Sequence, residues 1–194
     1  MRPRNHIRFV RELLRVVVIE RGKTAKPLLA LIIFLGCMGL AHGAEPLAVG
    51  AKVPEVRAVN QDGMPLDLAN VARKGFVLVY FYPKADTPGC TAEACSLRDA
   101  FTQLTEKGVK VIGVSADTIE AQEKFIQKYN LPFTLIADAD HRVIDVFGVS
   151  VIPGMNVASR QSFLFRDGVV VWRDLKASTD RQAADVLKVL ENLK

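Results

Sequence analysis

Residues 76–99 read "FVLVYFYPKADTPGCTAEACSLRD". The first seven are continuously apolar, the pattern of a strand covered on both faces. A short turn follows, and "TPGC" then opens a helix. Thr87 is a favoured N-cap residue. Pro88 suits the first helical position, because the N–H it lacks would have had no partner there. Further along, Leu97, Phe101 and Leu104 recur at i, i+4 and i+7, one apolar stripe of a helix that Gly108 ends.

The flanking sequence extends this unit in both directions. Upstream, "EVRAVNQDGMPLDL" (55–68) reads as a small hairpin turning at Asp62-Gly63. Downstream, "VKVIGVSA" (109–116) is the next buried strand. Asp117 then caps a helix, with Glu120 at the capping-box spacing and Ile119, Ile126 and Tyr129 facing inward. "FTLIAD" (133–138) is a short strand and "HRVIDVFGV" (141–149) a short helix opened by His141. "QSFLFRDGVVVWRDL" (161–175) is a hairpin turning at Asp167-Gly168, with Phe163 and Trp172 as strand core residues. Residues 178–180 open a last helix carrying Val186, Leu187, Leu190 and Leu193 inward. Strands alternating with helices, then a hairpin and a helix, imply an α/β domain with a mixed central sheet and helices on both faces. The order matches a thioredoxin-like fold with an extra N-terminal β-hairpin.

The chain has 194 residues, 49% hydrophobic and 24% charged, enough for one globular domain with its own core. Residues 1–44 stand apart. They run from a basic stretch into the 14 apolar residues "PLLALIIFLGCMGL" (27–40), then "AHGA". The apolar run is shorter than the roughly 20 residues of a membrane span. The segment reads as a secretory signal cut after Gly43 or Ala44, and the protein as exported, to the periplasm. Retention as a membrane anchor, acylation at Cys37 and a start placed too far upstream are the alternatives.

Setting the leader aside reverses the charge. The chain's +5 becomes −1 over 45–194, with 18 Lys+Arg against 19 Asp+Glu. The basic balance thus belongs to the leader and is no sign of nucleic-acid binding. Only Cys90 and Cys95 remain in the domain, in a compartment where thiols oxidise. With His141 the one histidine there, a four-ligand zinc site is not expected.

Cys90 falls at the third helical position. Unpaired backbone N–H groups and the positive end of the helix dipole surround it, which favours thiolate. That alone makes no fast catalyst. A free thiol is only about 3% thiolate at pH 7. Full ionisation therefore gains about 30-fold, whereas enzymes commonly reach 10⁶ or more. Other donors must act on the transition state. Thr87 offers a hydroxyl, and a cation from elsewhere in the chain should complete the site.

Pro83, Thr87 and Cys90 stand in a P-x-x-x-T-x-x-C arrangement that resembles peroxiredoxins. "FYPKADTPGCTAEACSLRD" resembles the bacterioferritin comigratory protein, or peroxiredoxin Q, subfamily. So do "QDGMPLDLANV" and "LPFTLIADADHRVIDVFGV", and the likeness runs over roughly residues 46 to 194. It implies a thiol-dependent peroxidase acting on hydrogen peroxide and organic hydroperoxides, without metal or organic cofactor. Cys90 would be the peroxidatic cysteine. Thr87 would hydrogen-bond thiolate and peroxide, and Pro83 would shield the sulfenate. Arg160, in "SRQSFLF", would hold the thiolate and polarise the peroxide. Cys95 would be the resolving cysteine, forming an intramolecular disulfide that thioredoxin or another thiol reductant reopens. The subfamily suggests a monomer or weak dimer. "SVIPGMNVA" (150–158) departs from the segment usual before that arginine, which leaves peroxide size preference open.

Residues i and i+5 of a helix lie roughly 8–9 Å apart at Cα, beyond the ~7 Å reach of a disulfide. The helix start is therefore expected to unwind when Cys90 and Cys95 bond. Other readings of the pair are a structural staple, an exported thiol–disulfide oxidoreductase lacking the C-x-x-C spacing, and a non-catalytic redox sensor. Lys84, Glu93 and Arg98 read as solvated helix-side charges or local ion pairs. Tyr80 and Tyr82 line the strand entering the site.

Overall fold

The computed structural model describes residues 45–193. The leader read at 1–44 lies outside them. Strands β1 (Arg57–Val59) and β2 (Pro65–Asp67) form the expected antiparallel hairpin. Its turn is stitched by Asn60, whose N–H bonds Met64 O at 2.9 Å and whose Oδ1 accepts from Met64 N at 2.8 Å. Helix α1 (Leu68–Ala72) follows, capped by the Asp67 side chain.

Strand β3 (Phe76–Phe81) is the centre of the domain. It leads to α2 (Pro88–Asp99), α3 (Phe101–Glu106), β4 (Val109–Ser115), α4 (Ile119–Tyr129) and β5 (Thr134–Ala137). Then come α5 (Arg142–Val146), the small hairpin β6 (Val151–Ile152) and β7 (Val157–Ala158), β8 (Gln161–Arg166), β9 (Val169–Asp174) and α6 (Gln182–Asn192). The main sheet runs β5-β4-β3-β8-β9. β3 pairs parallel with β4 and antiparallel with β8, so the sheet is mixed as expected. The β8–β9 turn has Asp167 at φ 50° and Gly168 at φ 80°, the left-handed pair a two-residue hairpin demands.

Side chains of β3 alternate between two apolar layers. Val77, Val79 and Phe81 pack with Phe163, Phe165 and Phe147, under α1 and α5. Leu78, Tyr80 and Tyr82 pack under α2, α3, α4 and α6. Every residue from Val77 to Tyr82 is fully buried, which accounts for the unbroken apolar run in the sequence.

Several local details differ from the sequence reading. The helix after β3 breaks at Ala100 (φ −93°, ψ 6°). Leu97 and Leu104 are fully buried, but Phe101 is only half-buried, against Phe133. Thr118, not Asp117, caps α4, its side chain accepting from Ala121 N. Asp117 is otherwise engaged: its Oδ2 accepts from Ala85 N and Ser115 Oγ, both at 2.7 Å. The buried face of α4 carries Gln122 and Phe125, while Ile119, Ile126 and Tyr129 flank it half-buried. Gln122 is tolerated inside because its polar atoms are paired. Its Oε1 accepts from the Tyr82 hydroxyl, and its Nε2 donates to Ser115 Oγ (2.8 Å) and Ile136 O (3.0 Å). The last helix starts at Gln182, and Ser178 Oγ accepts from Arg181 N just before it. Val186 and Leu190 are buried, and Leu187 and Leu193 half-buried. Among the described residues no helix is long and apolar enough to cross a membrane.

Candidate active site

β3 delivers the chain to the site, and Asp117 holds it there. Tyr82 N extends the ladder to Val114 O (3.1 Å), and the Asp117 carboxylate takes Ala85 N one step further on. Pro83 is half-buried at the exit of the strand. Asp86 follows with φ 59°, a left-handed turn that sends the chain back into α2.

Thr87 is the N-cap of α2 and Pro88 its first residue, as the sequence implies. The Thr87 side chain makes no capping bond; its hydroxyl donates to Lys84 O at 2.9 Å. With its proton so placed, Oγ1 keeps lone pairs with which to accept a hydrogen bond.

Cys90 is 2% exposed, in the first turn of α2. Arg160 reaches it across 70 residues of sequence, with Nη2 at 3.3 Å from Sγ. Arg160 is the residue just before β8, whose antiparallel pairing with β3 brings position 160 beside the mouth of α2. Gly89 admits it. A β-carbon there would sit 3.4 Å from Arg160 Nη2 and 3.3 Å from Thr179 Cγ2, crowding the guanidinium. Cys95 lies within α2, half-buried and not bonded to Cys90.

The sequence reading misplaced Glu93. It is no solvated charge: it is completely buried, and its Oε2 accepts from Nη1 of Arg160. The signal was present in the spacing. Cys90, Glu93, Ala94 and Leu97 follow the i, i+3, i+4, i+7 rhythm of one helix face, and all four are buried. Arg98 does make the local pair expected, with Asp99 at 2.8 Å, and Lys84 is exposed.

One guanidinium therefore spans a buried carboxyl and a buried sulfur. Desolvation opposes the Arg160 charge, but Glu93 and Cys90 outweigh it and hold its pKa above the ordinary value. Burial pushes the Glu93 carboxyl up to about 8, against the pull of Arg160. Glu93 Oε1 and the Tyr80 hydroxyl are both buried without a hydrogen-bond partner. Burial above all holds Tyr80 well above its ordinary pKa, and it is therefore a neutral phenol. Among the described residues no three His, Cys, Asp or Glu side chains converge to hold a metal ion.

The raised Glu93 pKa has a sign that can be tested. Between about pH 4.5 and 8 the folded state keeps a proton that the unfolded chain gives up. Stability from this group is full below that window and is lost as pH rises through it. Glu93→Gln lacks the titration. Its stability relative to wild type is expected to improve by a few kcal/mol between pH 5 and 8, then level off. Urea unfolding at half-unit steps checks this; a constant difference across the range counts against a protonated Glu93.

The arrangement is that of a buried cysteine sulfur held by a fixed cation in a dry site, suited to attack on a small electrophile whose leaving atom gains negative charge. Comparison with known proteins points the same way. The AhpC/TSA family model matches residues 49–173. Peroxiredoxin Bcp of Escherichia coli K12 is 46% identical over 104 residues, 54% of this chain and 66% of that protein. The chloroplastic peroxiredoxin Q of Sedum lineare is 34% identical over 148 residues, 75% of this chain and 78% of that one. The crystal structure of peroxidoxin BcpB from Mycobacterium tuberculosis superposes with a TM-score of 0.70 at 30% identity, covering 76% of this chain and 99% of its own. The chain belongs to the AhpC/TSA peroxiredoxin family, with the thioredoxin-like fold of that family and the thiol peroxidases of the Bcp and peroxiredoxin Q type as its relatives.

Proposed function

We propose that the protein reduces hydrogen peroxide and small organic hydroperoxides through Cys90, with Cys95 as the resolving thiol. The observation that carries this reading is the 3.3 Å contact between Arg160 Nη2 and Cys90 Sγ inside the first turn of α2. The Cys90 thiolate attacks one peroxide oxygen, and the O–O bond breaks. The departing oxygen leaves with the bonding pair, takes a proton and becomes water or alcohol, while Cys90 becomes a sulfenic acid. Arg160 stabilises the negative charge shared between sulfur and oxygen. Thr87 Oγ1 accepts the peroxide O–H, and Pro83 shields the sulfenate from water. The Cys95 thiolate then attacks the Cys90 sulfur, forming the S–S bond and releasing water once the leaving hydroxide is protonated. A dithiol reductant, thioredoxin or a relative, reopens the disulfide by exchange.

Export rests on the basic stretch, the apolar run and "AHGA" of residues 1–44, and places this chemistry in the periplasm. A monomer or weak dimer suffices, since both thiols belong to one chain.

The second step requires α2 to open, because Cys90 and Cys95 share one continuous helix. One equivalent of hydrogen peroxide is expected to convert the reduced wild type to an intramolecular disulfide, two mass units lighter. Cys95→Ser should stop at the sulfenic acid, trapped by dimedone. Amide exchange over residues 87–99 should quicken on going from the reduced to the oxidised wild type. The same oxidised product from Cys95→Ser as from wild type removes Cys95 from the cycle.

A further inference from the structure

α2 is held from outside at both ends, and both restraints meet on one residue of α4. Ahead of the helix, the Asp86 carboxylate accepts from the Tyr129 hydroxyl at 2.6 Å and from Lys128 Nζ at 2.8 and 2.9 Å. In its last turn, Arg98 Nη1 donates to the main-chain oxygen of Tyr129 at 2.8 Å. The stretch between, residues 87–97, contains both cysteines. The anchor itself is firm. α4 ends on Asn130 in the left-handed conformation, with Leu131 N bonded to Ile126 O at 3.1 Å. The Tyr129 ring packs edge-on against Phe125, 5.4 Å between centroids, and Phe125 is buried.

The Asp86 end carries backbone strain. A non-glycine residue at φ 59° is held in a sparsely populated region, though one that Asp tolerates better than most. Its side chain is held there by Tyr129 and Lys128, while the Ala85 N–Asp117 and Thr87 Oγ1–Lys84 O bonds pin the chain on either side. Neither Asp86 nor Tyr129 is hydrogen-bonded to Cys90, Arg160 or Glu93.

We propose that Tyr129 is a positioning residue for the second chemical step: it clamps α2 shut at Asp86 and Arg98 and so sets the rate at which Cys95 reaches oxidised Cys90. The proposal rests on the resolving role of Cys95 given above. While the clamp holds, Cys90 stays in its pocket as sulfenic acid, open to a second peroxide that would carry it to sulfinic acid. When the clamp opens, the helix start unwinds and the disulfide forms. The strength of the clamp thus divides oxidised protein between a recoverable and an irreversible product.

Two variants test this without disturbing the fold. Tyr129→Phe keeps the packed ring and removes the hydroxyl. Asp86→Asn keeps a residue that tolerates the left-handed turn and removes the charge. For both, the rate of Cys90 with hydrogen peroxide should stay within about twofold of wild type. Disulfide formation, followed by rapid quench and alkylation, should quicken about five- to tenfold, the worth of one partly exposed charged hydrogen bond. The peroxide concentration that converts half the protein to sulfinic acid should rise by the same factor. In the reduced protein, amide protection over residues 84–99 should fall about five- to tenfold in both variants.

Unchanged protection in the reduced variants overturns the clamp. So does unchanged disulfide formation, or a peroxide step that quickens as much as the second. If wild type forms no Cys90–Cys95 disulfide, the resolving role of Cys95 fails instead; the exchange measurement on reduced protein still decides the clamp.

Discussion

Arg160→Ala is expected to slow the oxidation of Cys90 by hydrogen peroxide about 10³-fold, the upper range for losing one donor from a water-poor site. The guanidinium lies 3.3 Å from Cys90 Sγ, and its side chain is only 16% exposed, so water does not readily replace it. The variant should still fold. Losing the cation leaves Glu93 fully buried, but burial already raises its pKa and removal of Arg160, which lowers it, raises it further, so the carboxyl takes up a proton and is neutral. Glu93 therefore does not become a stranded charge, and the rate loss reports on the sulfur contact. Arg160→Lys should fall in between. An ammonium is one point of charge and cannot contact Glu93 with one nitrogen and Cys90 with another in the fixed fork geometry. Stopped-flow oxidation of the three reduced proteins, beside Cys90→Ser as the blank, measures this. A rate for Arg160→Ala within tenfold of wild type takes Arg160 out of the chemistry.

Phe147→Ala is expected to destabilise the protein by about 3–5 kcal/mol, the usual cost of deleting a buried phenyl ring. Phe147 is fully buried among Phe81, Phe163 and Phe165, with ring centroids 5.1, 5.5 and 5.9 Å away. Phe163 and Phe165 meet it edge-on and Phe81 at a tilt, so the ring is enclosed by rigid aromatic neighbours. Domains of this size are stable by about 5–15 kcal/mol in all, so the loss should be plain in urea midpoint and melting temperature. Phe147 packs in the layer on the far side of the sheet from Cys90. The folded variant should therefore keep its peroxide rate. A loss below about 1 kcal/mol would mean that this aromatic cluster does not anchor α5 to the sheet.

The elements were legible wherever one local rule applied. Two-sided burial wrote β3 as an apolar run, the 167–168 turn needed two left-handed residues, and "TPGC" carries the stereochemistry of a helix start. The reading slipped where two local candidates competed and a distant partner chose between them. Asp117 and Thr118 are both good N-caps. Asp117 lost that role because Ala85 N, 32 residues away, takes its carboxylate. The inner face of α4 drawn through Ile119, Ile126 and Tyr129 omits Gln122, which is buried because Tyr82, Ser115 and Ile136 supply its partners.

The site divides in the same way. The sequence alone set the place of Cys90 in the first turn of a helix, with Thr87 and Pro88 before it and Cys95 too far along that helix to bond without its opening. These follow from propensity, capping and helical rise, which depend on neighbours within a turn or two. The tertiary structure alone decided that Arg160 and Glu93 meet at the sulfur, and that Tyr129 grips α2 at Asp86 and Arg98. Arg160 meets Glu93 and Cys90, 67 and 70 positions away, because the β3–β8 register brings it to the mouth of α2 and burial removes the water that would otherwise separate them, while Tyr129 reaches Asp86 and Arg98 nearer the surface. No local pattern encodes which carboxylate loses its water, and that loss turns Glu93 from a surface acid into part of the site.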